Sequence, residues 1–158
     1  MRVTSMRHLS IWVLFFVGLV ADSPRSYVIR TEYGFIDYAN RVIVSRGTAN
    51  ILENKTTQAG LQVLEKNLKI SKGEARAKAR ENLLDLVMMV NYDGRTVREI
   101  MVDEPLTQNR VETLVGSAYQ QGEIEYLERK EVAIALAIKM SGLAEILVDA
   151  GGHLNENL

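Results

Sequence analysis

The chain of 158 residues contains no cysteine. No disulfide can staple it, so its stability must come from packing. No thiolate is available as a nucleophile or metal ligand, and no lipid can be attached to a cysteine. Histidine is almost as scarce. The two are His8 and His153, near the two ends of the chain. A nucleophile–histidine pair or a histidine metal site has almost no material in between. Charge of one sign is also lacking. Nineteen basic against 20 acidic residues give a net charge of −1, which leaves no electrostatic footprint for nucleic acid. Gly47, Gly60, Gly73 and Gly94 are scattered and match no phosphate-binding loop. There is no internal repeat and no low-complexity run.

What is present is ordinary globular material. Hydrophobic residues make up 47% and charged residues 25%, enough for one domain with a real core. The first 21 residues read as a secretory signal peptide. Arg2, Arg7 and His8 precede the uncharged apolar run "IWVLFFVGLV", Ile11 to Val20. Its ten residues suit a signal and fall short of the roughly 20 that a spanning helix needs. Ala21 serves as the −1 residue, giving a start at Asp22, although Leu19 is a poorer −3 residue than alanine. The alternative is a buried N-terminal helix or a short uncleaved anchor.

Residues 22–40 mix polar and aromatic residues, with Pro24 and Gly34 discouraging a helix. They read as an extended arm lying on the domain or on a neighbour. Residues 41–150 read as a single α+β domain. Arg41 to Ile51 alternates as a strand, with Gly47 as a bulge or bend. Leu52 to Ile70 is ambiguous, although Leu61, Leu64 and Leu68 allow a short amphipathic helix. Ser71 and Glu74 have capping-box spacing and predict a helix start there, ending at Asp93-Gly94. Ala75, Ala79, Leu83, Leu86 and Val90 form its inner stripe. The alanines would let its first half approach a sheet closely.

Thr96 to Val102 reads as a strand, and Thr107 as the cap of a second helix with Val111, Leu114, Val115 and Ala118 inward. Glu123 to Leu127 suits an edge strand, followed by a turn at Glu128 to Lys130. "VAIALAIKM" alternates long apolar residues with alanines. That pattern predicts a strand covered by helices on one side and tightly approached on the other. Gly142 to Val148 is a short C-terminal helix stopped by Gly151-Gly152, and residues 151–158 read as a disordered tail. The expected fold is α+β: a three- to four-stranded, mainly antiparallel sheet with two main helices packed on one face.

Chemistry is thin. Glu123, Glu125, Glu128 and Glu131 could pair for acid–base work or hold a hard cation, but Arg129 and Lys130 sit among them, and a charge-guarded strand edge fits better. Arg76, Lys78 and Arg80 could bind an anion at a helix start. Glu74 and Glu81 are interleaved, so a mixed solvated face or an ion-paired subunit contact fits better. No catalytic residue, cofactor or metal is expected.

Four segments carry a family resemblance: "TEYGFIDYANRVIVSRGTANI" (31–51), "ARAKARENLLDLV" (75–87), "VETLVGSA" (111–118) and "VAIALAIKMSGLAEIL" (132–147). Together they resemble small bacterial envelope lipoproteins of the flagellar FlgP type. The resemblance implies an exported subunit that oligomerises into a ring or disk at the flagellar motor, beneath the outer membrane. Its implied partners are other copies of itself and other flagellar motor or envelope ring proteins. Family members usually carry a lipobox cysteine, and "GLVADS" has none, so membrane association would come only through partners. The expected location is the periplasm. The candidate subunit-interface residues are Tyr33, Phe35 and Tyr38 of the arm and Arg76 and Arg80 of the helix. The aromatics have an alternative role, packing on their own domain. The alternative function is a monomeric periplasmic binding or adaptor module for a small ligand or peptidoglycan.

Overall fold

The computed structural model describes residues 27–52, 58–128 and 130–156. The expected signal peptide lies outside them. The segment expected to be an arm forms strands β1 (Val28–Thr31) and β2 (Gly34–Asp37), an antiparallel hairpin that joins the sheet. The Asp37 carboxylate closes the next turn by accepting from the backbone N–H of Asn40 at 2.9 Å and from its side-chain amide at 2.8 Å. Strand β3 (Val42–Asn50) follows, pairing Asp37 with Val42 and Gly34 with Ser45.

Helix α1 spans Gln58–Met88, about 46 Å at 1.5 Å per residue. It does not start at Ser71. That residue lies inside the helix, with its hydroxyl 2.9 Å from the Asn67 carbonyl and 2.8 Å from that of Asn50. A mid-helix serine can satisfy itself on the preceding turn, so capping-box spacing alone does not start a helix. The expected inner stripe holds: Ala75, Ala79, Leu83, Leu86 and Val90 are all buried. The helix runs antiparallel to β3, with Ser71 at Asn50, Ala79 at Ser45 and Leu86 at Gly34.

Asp93-Gly94 is a hairpin turn, not a helix stop. Strands β4 (Asn91–Tyr92) and β5 (Arg95–Thr96) pair across it. Asp93 has φ 50° and Gly94 φ 80°, the two positive values that a type I′ turn requires. The segment expected as a strand is helix α2 (Val97–Asp103), capped by Thr96 in a full capping box with Glu99. Its Val97, Ile100 and Met101 are buried at helical spacing. Helix α3 (Pro105–Gly116) starts at Pro105, and Thr107, the expected cap, is buried in its first turn. Val111 and Val115 face inward as expected, with Leu114 and Ala118 packed partly against the core.

Strands β6 (Tyr119–Gln120) and β7 (Glu125–Leu127) both pair with one edge of β8 (Glu131–Lys139). The other edge of β8 pairs with β3 in continuous register, Val42 with Lys139 through Asn50 with Glu131. Gly47 therefore sits in an unbulged ladder. The last helix, α4 (Met140–Glu156), continues through Gly151-Gly152 into the segment expected to be a tail, and residues 157–158 lie outside the described part.

The fold is α+β with an antiparallel sheet, as the sequence implies. Six strands run β1-β2-β3-β8-β6, with β7 also on β8. The count exceeds the expected three or four because the N-terminal hairpin adds two. The segment before β8 is also split at Gly122, where φ is 76°. Ile36, Ile43, Val132, Ile134, Leu136 and Ile138 point to the helices and share one core with α1 to α4. The opposite face is not covered by any helix among the described residues.

Candidate interaction surface

Alternation and register define the uncovered face. Ser45 donates its hydroxyl to the Ala79 carbonyl at 2.7 Å, which places the odd-numbered residues of β3 on the helix side. Val42, Val44, Arg46, Thr48 and Asn50 therefore face away. Their β8 partners are Lys139, Ala137, Ala135, Ala133 and Glu131. Phe35 joins them through its pairing with Val44, and Tyr119 through its pairing with Ala137. Val44, Ala133 and Ala137 are buried yet stand apart from the main core. The alanines are sheltered because they are short and their cross-strand neighbours are taller. Tyr119 remains 44% exposed at one side of this face.

Charge lies on the face as well as at its edges. The Arg30 guanidinium lies 5.8 Å from the centre of the Phe35 ring, a cation–π arrangement. Arg46 forms an ion pair with Glu125 of β7. Both partners are substantially exposed, so the pair contributes little to stability and sets local charge instead.

The five expected interface residues separate into three groups. Tyr33 and Tyr38 are half-buried and pack against the core of their own domain. The Tyr38 ring lies 5.3 Å from that of Tyr27, and burial pushes its phenol pKa up. Phe35 lies on the uncovered sheet face. Arg76 and Arg80 are exposed on the outer side of α1, and Arg76 donates to the Gln120 side-chain oxygen at 2.9 Å. Between the two arginines, Lys78 pairs with Glu81 at 2.8 Å, a contact that raises its pKa.

Beside β3, Glu32, Tyr33, Arg46, Thr48, Lys78, Asn82 and Asp85 line an open cleft of about 500 Å³. Asn82 is fixed by donating to the Arg46 carbonyl at 2.7 Å. A second, shallow groove of about 460 Å³ lies between α3 and α4, with Leu114, Gly142 and Ile146 among its lining. Arg110 of the same groove holds Asp149 at 2.8 Å. Of the glutamates around the β7–β8 hairpin, Glu125 is engaged with Arg46 on the sheet face. Among the described residues, no group of three acidic, histidine or cysteine side chains could hold a metal ion.

The expectation that the alanine side of β8 is tightly approached does not hold: among the described residues no helix covers it, and the short side chains are sheltered by taller neighbours on the adjacent strands. The alanine alternation of β8 marks one side of that strand as special, but Arg30, Val44 and Arg46 join it only through strand order. No family model matches the chain, and neither the curated proteins nor the solved structures include a match to it.

Proposed function

We propose that the protein is a non-enzymatic structural subunit that assembles with copies of itself into a ring or disk in the bacterial periplasm, at the periphery of the flagellar motor. The observation that carries the self-assembly part is the uncovered sheet face, which presents Phe35, Ala135 and Tyr119, with Arg46 beside Ala135 and opposite charges at the two ends of β8. Apolar surface bordered by polar groups suits protein contact. The flagellar and periplasmic parts rest on the sequence resemblance and on the signal-like N-terminus. The missing lipobox cysteine makes attachment to the outer membrane a matter for its partners.

The test is imaging of the chain in its native envelope, joined to light scattering and electron microscopy of the purified protein. The expected result is a ring or multimer located at the flagellar base. A strict monomer at high concentration, with no binding to envelope components, would sink the reading.

A second reading is a monomeric adaptor that uses the mixed-charge cleft beside β3. Two cations and two anions, Arg46, Lys78, Glu32 and Asp85, around one cleft suit a ligand carrying both signs, such as a short peptide of the cell wall. Calorimetry with peptidoglycan fragments separates the two readings, because self-assembly needs no such ligand.

A further inference from the structure

On the uncovered face, β8 presents Glu131, Ala133, Ala135, Ala137 and Lys139 in that order. A negative charge ends the row on one side and a positive charge on the other, with Ala135 midway. Glu131 and Lys139 are about 26 Å apart, at roughly 3.3 Å per strand residue. Neither has an ion-pair partner among the described residues. Among the described residues, each charge is left for another molecule to meet.

We propose that this face is a two-fold contact between two copies of the chain, with β8 lying over β8 and the axis passing near Ala135. A two-fold axis across the strands maps the Glu131 end of one copy onto the Lys139 end of the other. Each contact then contains two Glu131–Lys139 pairs related by symmetry, as a self-complementary patch requires. A two-fold axis along the strands would instead set Glu131 on Glu131 and Lys139 on Lys139. The charge order therefore selects one arrangement of the two sheets.

The neighbouring residues are compatible with that arrangement. Face-packed sheets are separated by about 10 Å and keep their strands within about 30° of alignment. Alanines at 133, 135 and 137 leave the centre low, so no bulky side chain of β8 blocks the approach. The long lysine stem can span the gap at each end. Arg46 pairs with Ala135 across the ladder and would meet its own copy near the axis. Its ion pair with Glu125 offsets that like charge. Phe35 and Tyr119, which are partly exposed on this face, would gain a partner surface.

The inference rests on the self-assembly reading and adds the face, the symmetry and the paired residues. Its test is a charge swap in the full chain, with the dimer dissociation constant read by sedimentation equilibrium. Glu131→Lys and Lys139→Glu each set like charges opposite one another twice per dimer. Each should weaken the dimer about tenfold or more, since facing like charges are unfavourable. The double variant Glu131→Lys/Lys139→Glu restores both pairs and should return to within about threefold of the parent, in line with a coupled pair. Ala135→Arg, at the axis, should abolish the dimer while circular dichroism stays unchanged. Parent-like dimers from the single swaps, or no rescue in the double variant, overturn the face and leave self-assembly standing. A parent chain that stays monomeric overturns both.

Discussion

A β-carbon at Gly47 would stand 2.3 Å from the backbone nitrogen of Ala79 and 2.2 Å from the carbonyl oxygen of Ala75. The helix backbone thus lies directly on the strand. Ala75 and Ala79 permit the approach from one side and Gly47 from the other. Ser45, Ser71 and Asn82 then reach carbonyl groups across the seam. The alanine-rich half of α1 is a contact surface for strand backbone, and this seam orients the sheet whose far face is left uncovered.

Gly47→Ala should therefore be severely destabilising. The clash is with backbone on the helix side, which cannot rotate away as a side chain could. The expected cost is about 3 kcal/mol, the upper part of the overpacking range. Gly73→Ala on the same helix should have the opposite sign. Nothing lies within 4 Å of a β-carbon there, so removing an interior helix glycine should gain about 0.5–1 kcal/mol. Urea unfolding of both variants checks the pair. Equal effects at the two glycines would refute the close approach.

The capping box of α2 predicts a pH dependence. The Glu99 carboxylate accepts from the Thr96 backbone N–H at 2.7 Å and from its hydroxyl at 2.9 Å, and these bonds lower its pKa. A carboxylate whose folded pKa lies below its unfolded value stabilises the fold above the unfolded pKa, about 4.3 for glutamate. That contribution is lost as pH falls through the lowered folded value. Asp37, held by Asn40, has the same sign. Stability measured downward from pH 5 should fall, and Glu99→Gln should make the fall shallower. Thr96→Ala should also cost about 1 kcal/mol at neutral pH through the lost cap. An unchanged acid slope in the glutamine variant would exclude Glu99 as a source.

Asp93 and Gly94 make a turn that only a few residues can adopt. Gly94→Ala places a side chain at φ 80° and should cost about 1–2 kcal/mol, with no clash involved because no atom lies within 4 Å of a β-carbon there. Asp93→Asn should be tolerated, because asparagine also accepts the left-handed region. Thermal unfolding distinguishes the two. A harmless Gly94→Ala would mean the hairpin relaxes to another turn.

The contrast between two four-residue signals explains what the sequence revealed and what it hid. Ser71 to Glu74 and Thr96 to Glu99 have the same capping spacing. Only Thr96 starts a helix, because the Asp93-Gly94 turn breaks the chain just before it. Ser71 follows residues that form helix readily, and its hydroxyl bonds within the helix and across to β3. The spacing misled at Ser71 and went unread at Thr96, and in both places the preceding residues decide whether it starts a helix. Elements with a long local period, such as β3, β8 and the buried stripe of α1, were readable for that reason. The β1–β2 hairpin was not. Its strands have four residues each, and Glu32-Tyr33 carries no turn signature. It joins the sheet by pairing with β3, a partner fixed only in three dimensions. The same dependence hid the uncovered face, since Phe35, Val44 and Ala137 become neighbours through strand order alone.

Arg76 and Arg80 offer a separate test of assembly. They lie one turn apart on the exposed side of α1, away from the uncovered sheet face, and Arg80 has no ion-pair partner among the described residues. A ring needs contacts beyond a single two-fold pair, and a charged helix face can supply one. Arg76→Glu/Arg80→Glu should leave the fold intact within about 0.5 kcal/mol, as exposed substitutions do. It should reduce large assemblies in light scattering while dimers through β8 persist. Raising the salt should weaken the parent assembly in the same direction, since exposed charges are screened over about 10 Å at 0.1 M. Unchanged assembly in the double variant would assign these two arginines to solvent and move the second contact elsewhere on the subunit.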